Sequence, residues 1–168
     1  MPKPNTNRYE DLGDGSTKLV LASGAAFVID TEDVSMLRGF GWCRDVTGYA
    51  KASYREDGRT KHVYLHRMLC RVSVERPRVD HIDGDQSNNR RSNLRACTQS
   101  ENLFNQKISV RNRSGAKGVY VRPNGRFAAQ GAMHGKHYHL GLFSTLEEAA
   151  AAAARFRDDN HGEFARHA

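Results

Sequence analysis

The sequence predicts an α+β protein: a small N-terminal unit of hairpins and short helices, a strand–loop–strand–helix segment, and a three-stranded antiparallel sheet packed on one helix. Three patterns predict this. Before residue 75, short apolar runs flank turn clusters such as Ser23-Gly24 and Glu56-Asp57-Gly58. Between about 78 and 107, two short strands bracket an Asp/Asn-rich loop and lead into a capped helix. From Gly118 onward, three runs of period-two alternation precede an alanine-rich helix. The expected division is 1–106 for the first unit and its strand–loop–strand–helix core, 107–117 for a basic linker, and 118–168 for the last sheet.

The first ten or so residues are polar and read as loose. Lys18 to Ile29 reads as a hairpin around Ser23-Gly24, and Thr31 as the cap of a short helix carrying Val34, Met36 and Leu37. Trp42 reads as a core anchor. Tyr49–Tyr54 and Lys61–His66 pair around the Glu56-Asp57-Gly58 turn and run into Leu65–Cys70, read as a short helix. Thr98 and Glu101 form a capping box that opens a helix to about Lys107, because each side chain satisfies an orphan backbone donor at the helix start. Strands follow at Gly118–Arg122, Arg126–Gln130 and His137–Phe143. Ser144 and Glu147 read as a second capping box, with Gly162 at the helix stop.

Charge narrows the partners. Lys and Arg total 26 against 19 acids, a net charge of +7. Between Gln86 and Gln130 nine Lys or Arg accompany a single acid, Glu101, which marks a nucleic-acid footprint. Cys43, Cys70 and Cys97 are evenly spread with no C-x-x-C pair, so no structural zinc is expected and the thiols read as reduced. No apolar run approaches the roughly 20 residues that cross a bilayer, and the start has no apolar signal core, so an intracellular protein is expected.

The chemistry-bearing run is Asp-His-Ile-Asp-Gly-Asp at 80–85, returning through Asn88-Asn89-Arg90-Arg91-Ser92-Asn93-Leu94-Arg95 to a helix bearing Asn102. The run DHIDGDQSNNRRSNLRACTQSEN resembles the ββα-metal motif of HNH nucleases, with His81, Asn93 and Asn102 in the pattern positions. The resemblance is tight over about 25 residues and looser over 20 to 105. It implies a hydrolase that cuts DNA phosphodiester bonds, in which His81 takes a proton from water near neutral pH. Asp80 and Asn102 then offer oxygen ligands to a hard divalent ion, magnesium or manganese. Asn93 would brace the loop and help orient His81. Asp83 and Asp85 read as turn residues, and at His66, a recurrent family position, the sequence does not separate packing, the more common role, from phosphate contact.

The stretch from Ser114-Gly115-Ala116-Lys117-Gly118 through Leu140-Gly141-Leu142-Phe143 to His161-Gly162-Glu163-Phe164 resembles the apetala-two/ethylene-response-factor (AP-two/ERF) DNA-binding domain, over about 50 residues. Alternation puts Val119, Val121, Phe127, Ala129, Tyr138 and Leu140 on a core face, and Tyr120, Arg122, Arg126, Gln130, His137 and His139 on the other. The second set, with Arg111, Arg113 and Lys117 of the basic linker, is the expected DNA-contacting set. The tryptophans usual on this face in that family are missing, with Asn124 and His139 in their places, so its base preference does not carry over.

The sequence therefore implies a phage or homing-type endonuclease acting on double-stranded DNA, monomeric with dimers left open, in the cytoplasm of a bacterial host if phage-encoded. The rival expectation is a sequence-specific DNA-binding regulator without catalysis.

Overall fold

The computed structural model describes residues 6–167. The chain folds as two compact units, Met1–Cys97 and Thr98–Ala168. The first holds three small antiparallel sheets: β1 (Arg8–Asp11), β2 (Ser16–Val20) and β3 (Ala26–Asp30); β4 (Cys43–Arg44), β5 (Ala50–Glu56) and β6 (Arg59–Tyr64); and β7 (Arg78–His81) with β8 (Leu94–Cys97). Two short helices, α1 (Val34–Leu37) and α2 (Leu65–Leu69), lie between them in the chain. Both hairpins form at the expected turns, with Asp57 and Gly58 at positive φ.

The polar start is not loose from Arg8 on. Arg8–Asp11 pairs with β2 from Arg8↔Val20 to Asp11↔Thr17, so a partner strand imposes order on a segment with little apolar pattern of its own. Thr31 is not a cap either. Asp30 takes the cap position without a side-chain bond to the helix, and the Thr31 hydroxyl pairs with that of buried Thr17 at 2.9 Å. One core gathers these elements: Leu19, Phe27, Ile29, Leu37, Trp42, Leu65, Leu69 and Leu94 are all buried. Trp42 is part of it, its Nε1 donating to the Leu37 carbonyl at 3.1 Å.

The second unit starts with α3 (Gln99–Phe104), whose capping box has both bonds: Thr98 Oγ1 accepts from Glu101 N, and Glu101 Oε2 accepts from Thr98 N. The helix ends at Phe104 rather than Lys107. Lys117 Nζ donates to the carbonyls of Phe104 at 2.8 Å and Gln106 at 2.5 Å, satisfying acceptors that a longer helix would have bonded internally. Phe104 stacks on His161 with ring centroids 3.7 Å apart and planes 3° from parallel. The intervening basic segment is a bonded loop: Asn112 Oδ1 accepts from the backbone N–H of Ser114 and Gly115, and Ser114 Oγ donates to Val119 O.

Strands β9 (Val119–Val121), β10 (Phe127–Met133) and β11 (Lys136–Phe143) form an antiparallel sheet in the order β11-β10-β9, followed by α4 (Leu146–His161). Val119 and Ala129 pack on Ala149 and Ala153, the small side chains letting helix and sheet approach closely. A bulge between Ala129 and Gln130 shifts the register, so that Ala129 faces Gly141 while Gln130 faces His139. Val121 and Tyr138, expected in the core, are 50% and 36% exposed; Val121 ends the edge strand and is not part of the cluster around Ala149 and Ala153, and Tyr138 leans on Phe156. The α4 capping box is Thr145–Glu148, one residue later than expected, because β11 runs on to Phe143, paired with Phe127, and uses Ser144 for the turn.

Candidate active site

Four residues of β7 set the stage: the strand ends on Asp80 and His81, which are 6% and 5% exposed. A tight turn follows, Gly84 N donating to His81 O at 2.8 Å with Gly84 at φ 71°. The carboxylates of Asp83 and Asp85 build this turn. Asp83 Oδ1 accepts from Asp85 N at 2.7 Å, and Asp85 Oδ1 accepts from Ser87 N at 2.8 Å.

The loop is then fastened to the edge of β3. Val28 N donates to Ser87 O, and Asn89 N to Val28 O, a parallel bridge of two backbone bonds. Arg91 completes the seam: its N–H donates to Asp30 Oδ2 at 2.8 Å, and its guanidinium grips buried Asp33 with NH2 at 2.6 Å. Asn93, 8% exposed, ties the loop to itself. Its Nδ2 donates to Asp83 Oδ1 at 2.9 Å and Asn88 O at 2.8 Å, while its Oδ1 accepts from Asp83 N at 3.1 Å.

The side chain that meets the His81 ring is Asn89, 1% exposed and not singled out by the sequence. Its Nδ2 donates to Gln86 O at 3.0 Å, which turns Oδ1 toward His81 Nε2 at 3.3 Å. An amide oxygen only accepts, so Nε2 carries the proton and Nδ1 the lone pair. Burial holds the His81 pKa below the usual histidine value, against the Asn89 bond and Asp83, Asp80 and Asp85, which pull it up. The imidazole is therefore neutral near neutral pH, as a proton acceptor must be.

Asp80 faces Arg95 across the β7–β8 pair, its Oδ2 accepting from Arg95 Nε at 2.9 Å and NH2 at 2.8 Å. Asn102 sits half-buried on α3 in the second unit. No group of three His, Cys, Asp or Glu side chains poised to hold a metal occurs among the described residues. The side chains of Asp80 and Asn102 each carry an oxygen donor, the ligand type of hard divalent ions.

Beside His81 lies a second histidine. His66, 9% exposed on α2, has its ring centroid 5.5 Å from that of His81 in an edge-on arrangement. Tyr49 packs on both imidazoles, 4.6 Å from His66 and 6.0 Å from His81. Burial, His81 and Arg67 bring the His66 pKa down to about 4, with Asp45 opposing.

In the second unit Tyr120, Arg122, Arg126, His137 and His139 are exposed and Gln130 is half-buried. Arg126 NH2 donates to Leu142 O at 2.9 Å. Arg111 and Arg113 are exposed and, with Tyr120 and Arg122, line a groove of about 800 Å³. Lys117 is the departure: its ammonium caps α3 as described, and burial with Arg157 nearby lowers its pKa to about 8.

The family model for HNH endonucleases matches residues 75–103, the segment from just before β7 to the last turn of α3. The uncharacterized HNH endonuclease L560 of Acanthamoeba polyphaga mimivirus is 26% identical over 150 residues, covering 89% of this chain and 78% of that protein. Protein 3.8 of Escherichia phage T7 is 34% identical over 89 residues, covering 52% of this chain and 73% of that protein. No solved structure matches the chain. With the family pattern lying over the very strands and loop that bury His81, the chain belongs to the HNH endonuclease family.

Proposed function

We propose that the protein is a metal-dependent endonuclease of phage or homing type that hydrolyses phosphodiester bonds of duplex DNA. The observation that carries this reading is the His81 imidazole, buried, neutral and held through Nε2 by Asn89, a bond that puts the ring's lone pair on Nδ1. In the reaction a water proton passes to His81 Nδ1 as the water oxygen attacks phosphorus. The phosphorus–O3′ bond breaks and O3′ leaves as a hydroxyl after taking a proton from solvent, giving a 3′-hydroxyl and a 5′-phosphate. Asn93 holds the turn that carries His81, through the Asp83 and Asn88 bonds. Asp80 and Asn102 are the proposed ligands of one magnesium or manganese ion, which when bound neutralises charge on the phosphate.

Binding is assigned to the outer face of the C-terminal sheet, in the manner of AP-two/ERF domains, through Tyr120, Arg122, Arg126, Gln130, His137 and His139, with Arg111 and Arg113 along the adjoining groove. Exposure of this set, Gln130 excepted, beside a basic groove supports the assignment. One proposed nuclease centre per chain makes a nick by a monomer the simplest product, with a dimer needed for a concerted double-strand break. No described helix is long and apolar enough to cross a membrane; an intracellular, phage-encoded protein working in a bacterial host fits the T7 relative.

The second reading is a DNA-binding regulator without catalysis, favoured by the Arg95 guanidinium already seated on Asp80. Supercoiled plasmid separates the two. Metal-dependent nicking by wild type, reduced about 10²–10⁴-fold in His81→Ala with DNA binding retained, is expected. DNA binding without nicking at any protein or metal concentration selects the regulator, and a His81→Ala protein that cuts at the wild-type rate removes the general base.

A further inference from the structure

His66 is the buried group that the reaction above does not use. Its Nδ1 is enclosed and has no hydrogen-bond partner among the described residues. His66 keeps 9% exposure and its Nε2 is not an enclosed, unpartnered atom of this kind, which makes Nε2 the ring nitrogen open to a partner, on a side chain ringed by Tyr49, Tyr64 and His81. A neutral imidazole carries one proton on either nitrogen. Burying an unbonded N–H costs more than burying an unbonded lone pair, so the proton belongs on Nε2. Burial beside His81 keeps the ring neutral throughout the range in which nucleases work. The result is a neutral, rigidly packed N–H donor next to the proposed general base, which cannot compete with His81 for the water's proton.

We propose that His66 is a further catalytic residue that donates its Nε2–H to a non-bridging oxygen of the scissile phosphate, on which negative charge grows in the transition state. This rests on the nuclease reading of His81. The His66 proton stays on Nε2 throughout, and the bond strengthens as charge develops, so the contribution falls on kcat more than on KM. A packing histidine would instead act through stability and leave the chemistry of a folded variant unchanged.

The test uses the full-length protein with magnesium in a plasmid-nicking assay, comparing His66→Leu, His66→Gln and His66→Asn, with circular dichroism as the folding check. The glutamine amide nitrogen reaches the Nε2 position, whereas the asparagine amide reaches only that of Nδ1. Expected are a kcat loss on the order of 10²–10³-fold for Leu and Asn with KM nearly unchanged, and substantial recovery for Gln. At the mapped cut, sulfur replacing the contacted oxygen should slow wild type and Gln but make little difference to Asn. Gln and Asn variants that cut alike, or a sulfur effect the same in Asn as in wild type, overturn the proposal while leaving His81 in place. A wild-type protein that never nicks overturns both. If Leu fails to fold, the Gln–Asn comparison still decides.

Discussion

Asn89 does two jobs with one amide, accepting from His81 and donating to Gln86 O, and it does them at 1% exposure. Asn89→Leu strands the Nε2–H and the Gln86 carbonyl, costing about 1–3 kcal/mol in denaturant unfolding and releasing the tautomer that His81 chemistry needs. Asn89→Asp keeps the bond but adds a negative charge, which favours the imidazolium and raises the His81 pKa. The acid limb of the kcat/KM profile should then move to higher pH; an unmoved limb would detach Asn89 from the base. His66 gives a stability effect of definite sign. Its folded pKa, about 4, lies below the ordinary 6.5, so the unfolded chain binds the extra proton first. The contribution is complete above about pH 6.5 and disappears as pH falls toward 4, an acid loss on the order of 3 kcal/mol at most. His66→Gln should flatten that part of a pH series of urea melts.

At the scale of elements, the sheet of the second unit depends on absent atoms. A Cβ on Gly131 would lie 2.3 Å from Phe156 Cδ1, so strand β10 needs glycine there for α4 to close over it. Gly131→Ala should lower stability by about 1–3 kcal/mol and the Tm by on the order of 10 °C; an unchanged melting curve would show that Phe156 moves aside without cost. Elements were legible in the sequence where their cause is local. The Thr98–Glu101 box, the Asp-Gly turn and the hairpin at Asp57-Gly58 are each set by residues within a few positions, and each appears. Elements whose cause is distant were not. Strand β1 exists because β2 offers an edge, and which of Asn88 and Asn89 turns inward is decided by the pairing with Val28, some 60 residues away. The bulge at Ala129–Gln130 and the choice of Thr145 over Ser144 depend on how β11 registers against β10. The same holds for His66, whose nearness to His81 is a tertiary fact that its Leu-His-Arg setting only hints at.

For the whole molecule, net charge of +7 and an exposed arginine set in the second unit predict binding governed by counterion release. Arg122→Ala with Arg126→Ala should weaken DNA binding and reduce the slope of log K against log salt by about two units, and an unchanged slope takes the sheet off the DNA. The division after Cys97 bears on how such experiments are built. The obvious dissection, keeping the unit that holds Asp80 and His81 and discarding the one with the proposed DNA-contacting arginines, also discards Asn102. A shortened protein ending at Cys97 is thus expected to lose cleavage even on DNA presented at saturating concentration, and a fragment of that length that still nicks would remove Asn102 as a proposed metal ligand. Recruitment and catalysis are separated here by point substitution and not by scissors.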